Sequence, residues 1–283
     1  MKINSTSISD PCFQGKFENI PHPPQNLFSL GNVTVNGPAV AIVGTRKPTA
    51  YGTAITLELA EKLAKRGVII VSGLALGVDG LAHTGALHVG GRTIAVLANG
   101  LDTITPASHR NIAVQILEKN GGIVSEYEPG TPPLPFRFLE RNRLVSALAD
   151  TLIVTEASAR SGTMNTVMHA LAQGRDVYAI PGNITSPSSA GCNKLIEQGA
   201  TPIIDIDAFV NSYAPLEKQP KQQLLLAQTP EEQAVIDLIQ SGISDGDELQ
   251  RKSKLDATTF STTLTMLELR GVIRPLGANN WGL

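Results

Sequence analysis

The stretch Ala39-Val40-Ala41-Ile42-Val43-Gly44-Thr45-Arg46-Lys47-Pro48 decides the fold of this chain. Its first five residues are all apolar, without polar alternation, as in a strand covered on both faces. Gly44 ends the run and a helical segment, residues 51–66, follows. The same unit then recurs. Further strand candidates are residues 68–71, 93–97, 122–125, 151–155, 176–180 and 201–204, rich in Val and Ile. Helix candidates lie between them at residues 79–89, 108–120, 138–148, 164–173 and 189–198. Gly67, Gly90, Gly121 and Gly174 each stand just past a helix, where a left-handed cap residue belongs. In the first helix, Glu58 with Lys62 and Glu61 with Lys65 make i,i+4 pairs on the exposed side. Strand and helix alternating in this way predict an α/β fold with a doubly wound, mostly parallel sheet over residues 39–213.

Outside this core the pattern changes. Residues 1–38 read as an irregular extension packing on the sheet domain: Pro21, Pro23 and Pro24 exclude a helix there. Gly31 and Gly37 bracket one short strand candidate, residues 33–35. Residues 214–228, with two prolines and a Lys/Gln run, read as a linker. A separate unit follows at residues 229–283. Thr229 offers an N-cap, Pro230 the first helical position, and Glu231 and Glu232 two acids at the positive helix end. A second helix begins at residues 244–247. A third, residues 257–269, puts Phe260, Leu264 and Leu267 on one face before Gly271 stops it. Residues 272–283 then suggest a hairpin around 277–280. Three helices and a hairpin predict a small C-terminal winged-helix domain.

Composition narrows the function classes. Net charge is −2 over 283 residues, with a pI near 6.2. A protein that binds nucleic acid through a broad basic surface is usually more basic than this, so such a ligand would need a local pocket that concentrates positive charge. No apolar run approaches the roughly 20 residues of a membrane helix, and residues 1–10 carry no apolar secretory core. Cys12 and Cys192 have no metal-ligand spacing and form no disulfide framework, as expected of unpaired thiols in the cytoplasm.

In a doubly wound sheet, ligands bind beyond the carboxyl ends of the strands, at the point where strand order reverses. The loops there are glycine-rich. The first is Gly44-Thr45-Arg46-Lys47, a strand-to-helix turn whose free amides and helix dipole favour an anion. It is neither GxGxxG nor a Walker loop, which tells against an ordinary dinucleotide or ATP cofactor; no cofactor is expected. The second is Ser72-Gly73-Leu74-Ala75-Leu76-Gly77-Val78-Asp79, where two glycines permit close backbone approach and Asp79 can cap the next helix. Asp79 and His83 stand at i,i+4, but with no third ligand nearby, capping and packing explain them better than a metal. Asn99 and Gly100 follow the third strand, and Gly182 the sixth. Arg160, Ser161, Gly162 and Thr163 follow the fifth, with Ser161 or Thr163 able to cap the next helix while its amides face an anion. Before that strand stands Phe136-Arg137-Phe138-Leu139-Glu140-Arg141-Asn142-Arg143, three arginines and two aromatics in eight residues. Such a mixture suits single-stranded nucleic acid, whose phosphates need charge and whose bases need a flat face.

These residues resemble the DprA/Smf family in order and spacing. The resemblance runs from about residue 27 to 209. It is carried by Val43-Gly44-Thr45-Arg46, Tyr51-Gly52, the Ser72-to-Asp79 loop with Ala82-His83, Thr93-Ile94-Ala95-Val96-Leu97 and Ser125-Glu126-Tyr127. It continues through Arg141-Asn142-Arg143, Ser161-Gly162-Thr163, Pro181-Gly182 and Asn193-Lys194-Leu195-Ile196 with Gly199-Ala200. The family implies a Rossmann-like domain that binds single-stranded DNA, forms a homodimer through that domain, and loads the RecA recombinase in natural transformation. It implies no enzyme activity. Carried over by motif, Arg46, the Ser72-to-Asp79 loop and Arg160 to Thr163 would contact phosphates, and the Phe136-to-Arg143 cluster bases and backbone. The chain departs from the family at Ile104-Thr105-Pro106, where an aromatic-Pro pair is usual, and at Phe138-Leu139-Glu140, where Phe-Pro is usual. It also lacks room in residues 1–38 for the N-terminal helical domain of many members.

Two other functions compete. A phosphoribohydrolase-like enzyme shares this fold type but needs Gly-Thr-x-x-Glu, and here Thr166 stands where the acid should be. A nucleotide-signal sensor would use the glycine loops but has little need for the arginine–aromatic cluster. The winged-helix domain itself carries eight acidic against five basic residues, and its third helix holds six Ser/Thr but no cation before Arg270. A major-groove reader usually brings Arg or Lys, so a protein contact is expected of this domain instead.

Overall fold

All seven apolar runs become strands of one sheet in the computed structural model, which describes residues 2–13, 15–17, 20–215, 227 and 229–282. The chain runs β1 (Asn4–Ser7), β2 (Asn26–Gly31), β3 (Ala39–Val43), α1 (Ala50–Lys65), β4 (Ile69–Ser72), α2 (Val78–His88), β5 (Thr93–Val96), α3 (Arg110–Glu118) and β6 (Gly122–Ser125). It continues through α4 (Pro135–Leu148), β7 (Thr151–Val154), α5 (Thr163–Ala172), β8 (Asp176–Ala179), α6 (Ala190–Glu197), β9 (Thr201–Pro202) and α7 (Ile206–Tyr213). The strand order is β1-β2-β6-β5-β4-β3-β7-β8-β9. Pairing is parallel from β6 to β9 and antiparallel for β1 and β2 at one edge. The order therefore reverses between β3 and β7, the first strand and the fifth of the parallel set.

The opening stretch shows why both faces are covered. Ala39, Ala41 and Val43 pack with Leu144, Val145 and Leu148 of α4 and Val167 of α5. Val40 and Ile42 turn the other way, against Leu59 and Leu63 of α1 and Val78 and Ala82 of α2. Successive residues of a strand point to opposite faces, so an all-apolar strand needs helices on both.

Four expectations are corrected. Residues 1–38 are not irregular throughout. β2 pairs antiparallel with β6, Phe28 opposite Ser125, and β1 then pairs with β2. Residues 33–35 form no strand, yet Val33 and Val35 are buried with Phe13 and Phe17 on the α4 face. The left-handed residue after α3 is Asn120 (φ 57°), a residue whose short amide tolerates that region, while Gly121 is needed for close approach to the Thr93 carbonyl. Glu61 pairs with His88 of α2 and not with Lys65, whereas the Glu58–Lys62 pair forms at 2.7 Å. Gly67, Gly90 and Gly174 do take positive φ.

The chain divides into two compact units, Met1–Leu216 and Glu217–Leu283, and most of the expected linker, residues 214–228, lies outside the described residues. The second unit holds α8 (Pro230–Gln240), α9 (Gly246–Ser253), α10 (Ala257–Leu269) and the antiparallel pair β10 (Arg274–Gly277) and β11 (Asn280–Gly282). Thr229, Asp245 and Asp256 cap its three helices, each side chain accepting a first-turn amide. Val235, Ile236, Leu249, Phe260, Leu264, Leu267 and Ile273 form its own core. Cys12 and Cys192 are unpaired, and no helix among the described residues is long and apolar enough to cross a membrane.

His83 of α2 is fully buried against β5. Thr93 Oγ1 donates to the Ile70 carbonyl, so His83 Nδ1, 2.7 Å away, donates to Thr93. That leaves Nε2 buried without a partner. Burial, with the His109 and Arg141 charges adding to it, pushes the imidazole pKa down to about 3. Between that value and the usual 6.5 the unfolded chain takes up a proton that the folded chain refuses. Stability is therefore full above pH 6.5 and falls as pH drops below it, by about 1.4 kcal/mol per pH unit from this group. Urea unfolding at about pH 7, 6 and 5 checks this: His83→Asn, which can still donate to Thr93, should show a shallower decline than the parent, and parallel declines would refute it.

Candidate nucleic-acid interface

The loops after β3, β4 and β7 meet where strand order reverses, and backbone contacts lock them together. Thr45 N–H donates to the Glu156 carbonyl at 2.7 Å, and Val78 N–H to the Thr45 carbonyl at 3.1 Å. Gly77, at φ 79°, lies so close to the first loop that a Cβ would sit 2.4 Å from the Thr45 carbonyl oxygen. Only glycine meets both demands. From the β7 side, Ser161 donates to Thr163 Oγ1 at 2.9 Å, and Thr163 donates to the Gly44 carbonyl at 3.0 Å. Ser161 Oγ also accepts the Thr163 amide, doing the capping expected of it although Gly162 is the N-cap residue of α5.

Between these loops and α4 lies a crevice of about 310 Å3. It is lined by Gly44, Arg46, Asp79, Phe138, Arg141, Asn142, Ser161, Gly162 and Thr163, all expected site residues, together with Val43, Ala75, Leu139, Val145 and Thr166. Its mouth and floor differ in kind. At the mouth, Arg46 is exposed and its guanidinium lies 5.5 Å from the centroid of the Phe138 ring. A cation over an aromatic face is held by the ring quadrupole while its N–H groups stay available.

The floor is a buried polar knot. Arg141 is 3% exposed and donates to the carbonyls of Gly73 and Val96, which close β4 and β5. Asp79 is also buried, and its carboxylate accepts the Gly73 amide at 3.1 Å and the Ala75 amide at 3.4 Å. Asp79 thus braces the loop before its helix, where a cap on the helix itself was expected. Burial raises the Asp79 pKa, while the Arg141 charge and the two amides oppose that rise. Burial likewise pushes Arg141 down against the pull of Asp79, and a guanidinium stays charged near neutral pH. Gly73 is caught between them: a Cβ there would lie 2.5 Å from Arg141 Nη2 and 2.6 Å from Asp79 Oδ2.

The remaining expected residues fall outside the crevice. Ser72 is fully buried and donates to the Ile42 carbonyl. Asn99 and Gly100 are buried after β5, with Asn99 Nδ2 closing the loop through the Gly100 and Thr103 carbonyls. Arg143 is ion-paired with Glu126. Arg137 donates to the Pro132 carbonyl and lies between the rings of Tyr127 and Phe136, 5.1 and 5.5 Å from their centroids. Lys47 and Arg160 are exposed on the loops flanking the crevice, Thr45 is half-buried, and Gly182 lines a different recess. Residue-by-residue reading gave no role to Glu126 and Tyr127, though both stand in one of the quoted motifs, or to Glu156. Glu156 is 2% exposed and accepts from the Thr49 amide and hydroxyl at 2.8 and 2.7 Å, fixing the start of α1. No cluster of three His, Cys, Asp or Glu side chains suited to a metal occurs among the described residues.

Comparison with known proteins identifies the family. A family model described as DNA recombination-mediator protein A matches residues 4–214, and one for the DprA winged helix domain matches residues 219–279. Protein Smf of Escherichia coli is 48% identical over 178 residues, 62% of this chain and 48% of that protein, so the match spans about half its length. DNA processing protein DprA of Bacillus subtilis is 39% identical over 203 residues, 71% of this chain and 68% of that one. A solved structure of DNA processing protein A from Helicobacter pylori, determined to explain its single-stranded DNA binding mode, superposes with a TM-score of 0.65 at 38% identity. It covers 70% of this chain and 90% of its own.

The two arginines of the crevice should separate cleanly on mutation. Arg141→Met removes two carbonyl partners and leaves Asp79 buried beside no cation, which should cost about 3–5 kcal/mol of stability. Arg46→Ala, at an exposed position, should change stability by no more than about 0.5 kcal/mol. Denaturant midpoints measure both, and an unshifted midpoint for Arg141→Met would show that the floor does not hold the loops.

Proposed function

This chain belongs to the DNA recombination-mediator protein A family, and we propose that its crevice holds single-stranded DNA without altering it chemically. The observation that carries the proposal is the pairing of exposed Arg46 with the Phe138 ring at the mouth of the crevice. A phosphate meets the Arg46 guanidinium and the amides at the start of α5, and a base stacks at Phe138. Duplex DNA keeps its bases stacked inside, so a ring set in a recess reaches them only in a single strand. The Helicobacter pylori protein, studied for its single-stranded DNA binding, supports the same choice of ligand. Thr166, where a phosphoribohydrolase needs its acid, supports a binding protein over a hydrolase.

The expected residues buried or paired elsewhere act through position. Ser72, Gly73, Asp79 and Arg141 shape the crevice, while Gly44, Arg46, Phe138 and Gly162 meet the strand. Lys47 and Arg160 add charge where the strand enters or leaves. The family resemblance extends the proposal to a homodimer formed through the Rossmann-like domain and to transfer of the strand to RecA in natural transformation or recombination, within the cytoplasm.

Competition between fluorescent oligo-dT and a duplex of equal length tests the ligand. The single strand should bind at least about tenfold more tightly, a difference of roughly 1.4 kcal/mol. Arg46→Ala should cost about 1.5–3 kcal/mol of that binding, as expected for a charge-assisted contact. Equal affinity for the two DNA forms would sink the crevice as a single-strand site.

The winged-helix unit contributes no phosphate contact in this reading. Arg270 is ion-paired with Glu232, and Thr262, Thr263 and Thr265 return their hydroxyls to carbonyls of their own helix. A chain ending after residue 216 should therefore keep single-strand affinity within about threefold, under roughly 0.7 kcal/mol. The salt dependence of binding should be unchanged as well. A much weaker affinity with a shallower salt slope would make α10 a DNA contact.

A further inference from the structure

One expected site residue, Gly182, lies outside the crevice and lines a second recess of about 370 Å3 with Thr49, Tyr51, Glu156, Asn183 and Ser186. The two cavities share a wall. The segment from β3 into α1 gives Gly44 and Arg46 to the crevice and Thr49 and Tyr51 to the recess. On its other side the recess borders the end of β8, the strand next to β7, so it lies about one or two strand spacings, roughly 5–10 Å, along the same sheet edge.

Their charges differ. The crevice is lined by two arginines against one carboxylate, Asp79, whereas the described lining of the recess holds no cation and one carboxylate, Glu156. A phosphate is repelled there, but the uncharged part of a nucleotide is not. The recess also offers a flat face. Tyr51 is 47% exposed, yet its hydroxyl donates to the Pro181 carbonyl at 2.8 Å, which fixes the ring at its far end. A ring already immobilised loses little further freedom on stacking. A polar side chain of the same lining can read a base edge. Asn183 Oδ1 accepts from the Thr185 amide at 3.0 Å and hydroxyl at 2.8 Å, which commits the oxygen and leaves the Nδ2 donors as the part of this lining side chain to offer a ligand.

We propose that this recess is a nucleobase subsite, in which a base adjoining the phosphate held by the crevice stacks on Tyr51 and meets the Asn183 amide. It rests on the reading of the crevice as the phosphate site. The test uses the full chain, oligo-dT, and an abasic strand of equal length that keeps the phosphates but has no bases. Tyr51→Leu should weaken oligo-dT binding about five- to hundredfold, the effect of losing one stacked base, and leave abasic binding unchanged. Tyr51→Phe, which keeps the ring, should retain most of the oligo-dT affinity. Arg46→Ala should weaken both strands. If Tyr51→Leu matches the parent on oligo-dT while Arg46→Ala does not, the subsite is overturned and the crevice stands. If neither variant changes binding, the crevice reading falls and the subsite with it. Equal losses on the two strands for Tyr51→Leu also overturn the subsite, since Tyr51 would then act only by shaping the loop. Should Tyr51→Leu fail to fold, Asn183→Ala at an exposed loop position carries the test: a loss confined to oligo-dT supports the subsite, and unchanged or equal losses refute it.

Discussion

The Arg141 guanidinium, buried among backbone carbonyls, is the constraint on which the carboxyl edge of the sheet depends. Helix α4 carries the chain from β6 across the sheet to β7, and nothing in a crossover connection by itself fixes the height at which the helix lies. Arg141 fixes it by donating to the Gly73 and Val96 carbonyls at the ends of two neighbouring strands. Asp79 then holds the Gly73 amide from the other side, so one peptide segment is gripped at both its donor and its acceptor. A charge so placed is costly to bury alone, and the pair is tolerable because each partner is hydrogen-bonded as well as opposed in sign. Phe138 stands three residues before Arg141, on the same face of the helix. The buried arginine therefore also sets where the half-buried ring is presented.

A protein of net charge −2 can still attract an anion where several of its arginines are committed internally and a few exposed cations stand close together. Arg143 is paired with Glu126, Arg270 with Glu232, and Arg66 and Arg92 are bound by side-chain and backbone oxygens. Arg46, Lys47 and Arg160 are exposed, and all three stand on the loops after β3 and β7. Counterion release scales with the phosphates neutralised, so an interface of this size gives a salt dependence of a few charges, well short of that of a basic groove.

The parallel sheet was legible in the sequence because burial on both faces writes a signal of its own: five consecutive apolar residues in β3 can hardly be placed otherwise. The antiparallel edge was not. β1 reads Asn4-Ser5-Thr6-Ser7, polar throughout, and it is a strand only because β2 lies beside it. β2 in turn pairs with β6, about a hundred residues away, and no local pattern announces a partner at that distance. The prolines at 21, 23 and 24 correctly excluded a helix, but they are compatible with a strand that starts at Asn26. In the candidate site, the glycine loops were legible because close backbone approach demands glycine. The division of labour among the arginines was not. Arg137, Arg141 and Arg143 share one helix, and which of them is buried depends on the strand ends beneath it, not on their spacing.

The same distinction between a side chain's chemistry and its commitment governs the second unit. By composition, α10 offers a row of hydroxyls that could meet a phosphate backbone. In the structure Thr262, Thr263 and Thr265 each donate to the carbonyl four residues earlier, which satisfies them within the helix. Arg270, at the C-cap of that helix, is drawn back to Glu232 of α8. Beside its exposed hydroxyls and Glu268, α10 exposes Met266 and Leu269, and β10 adds Leu276. A helix that returns several hydroxyls to its own carbonyls, carries an exposed carboxylate and exposes thioether and leucine is poorly matched to a polyanion and better matched to an apolar protein surface. The two units thus differ in kind: the first sets an exposed arginine against an aromatic ring at its crevice, and the second exposes apolar side chains on α10 and β10.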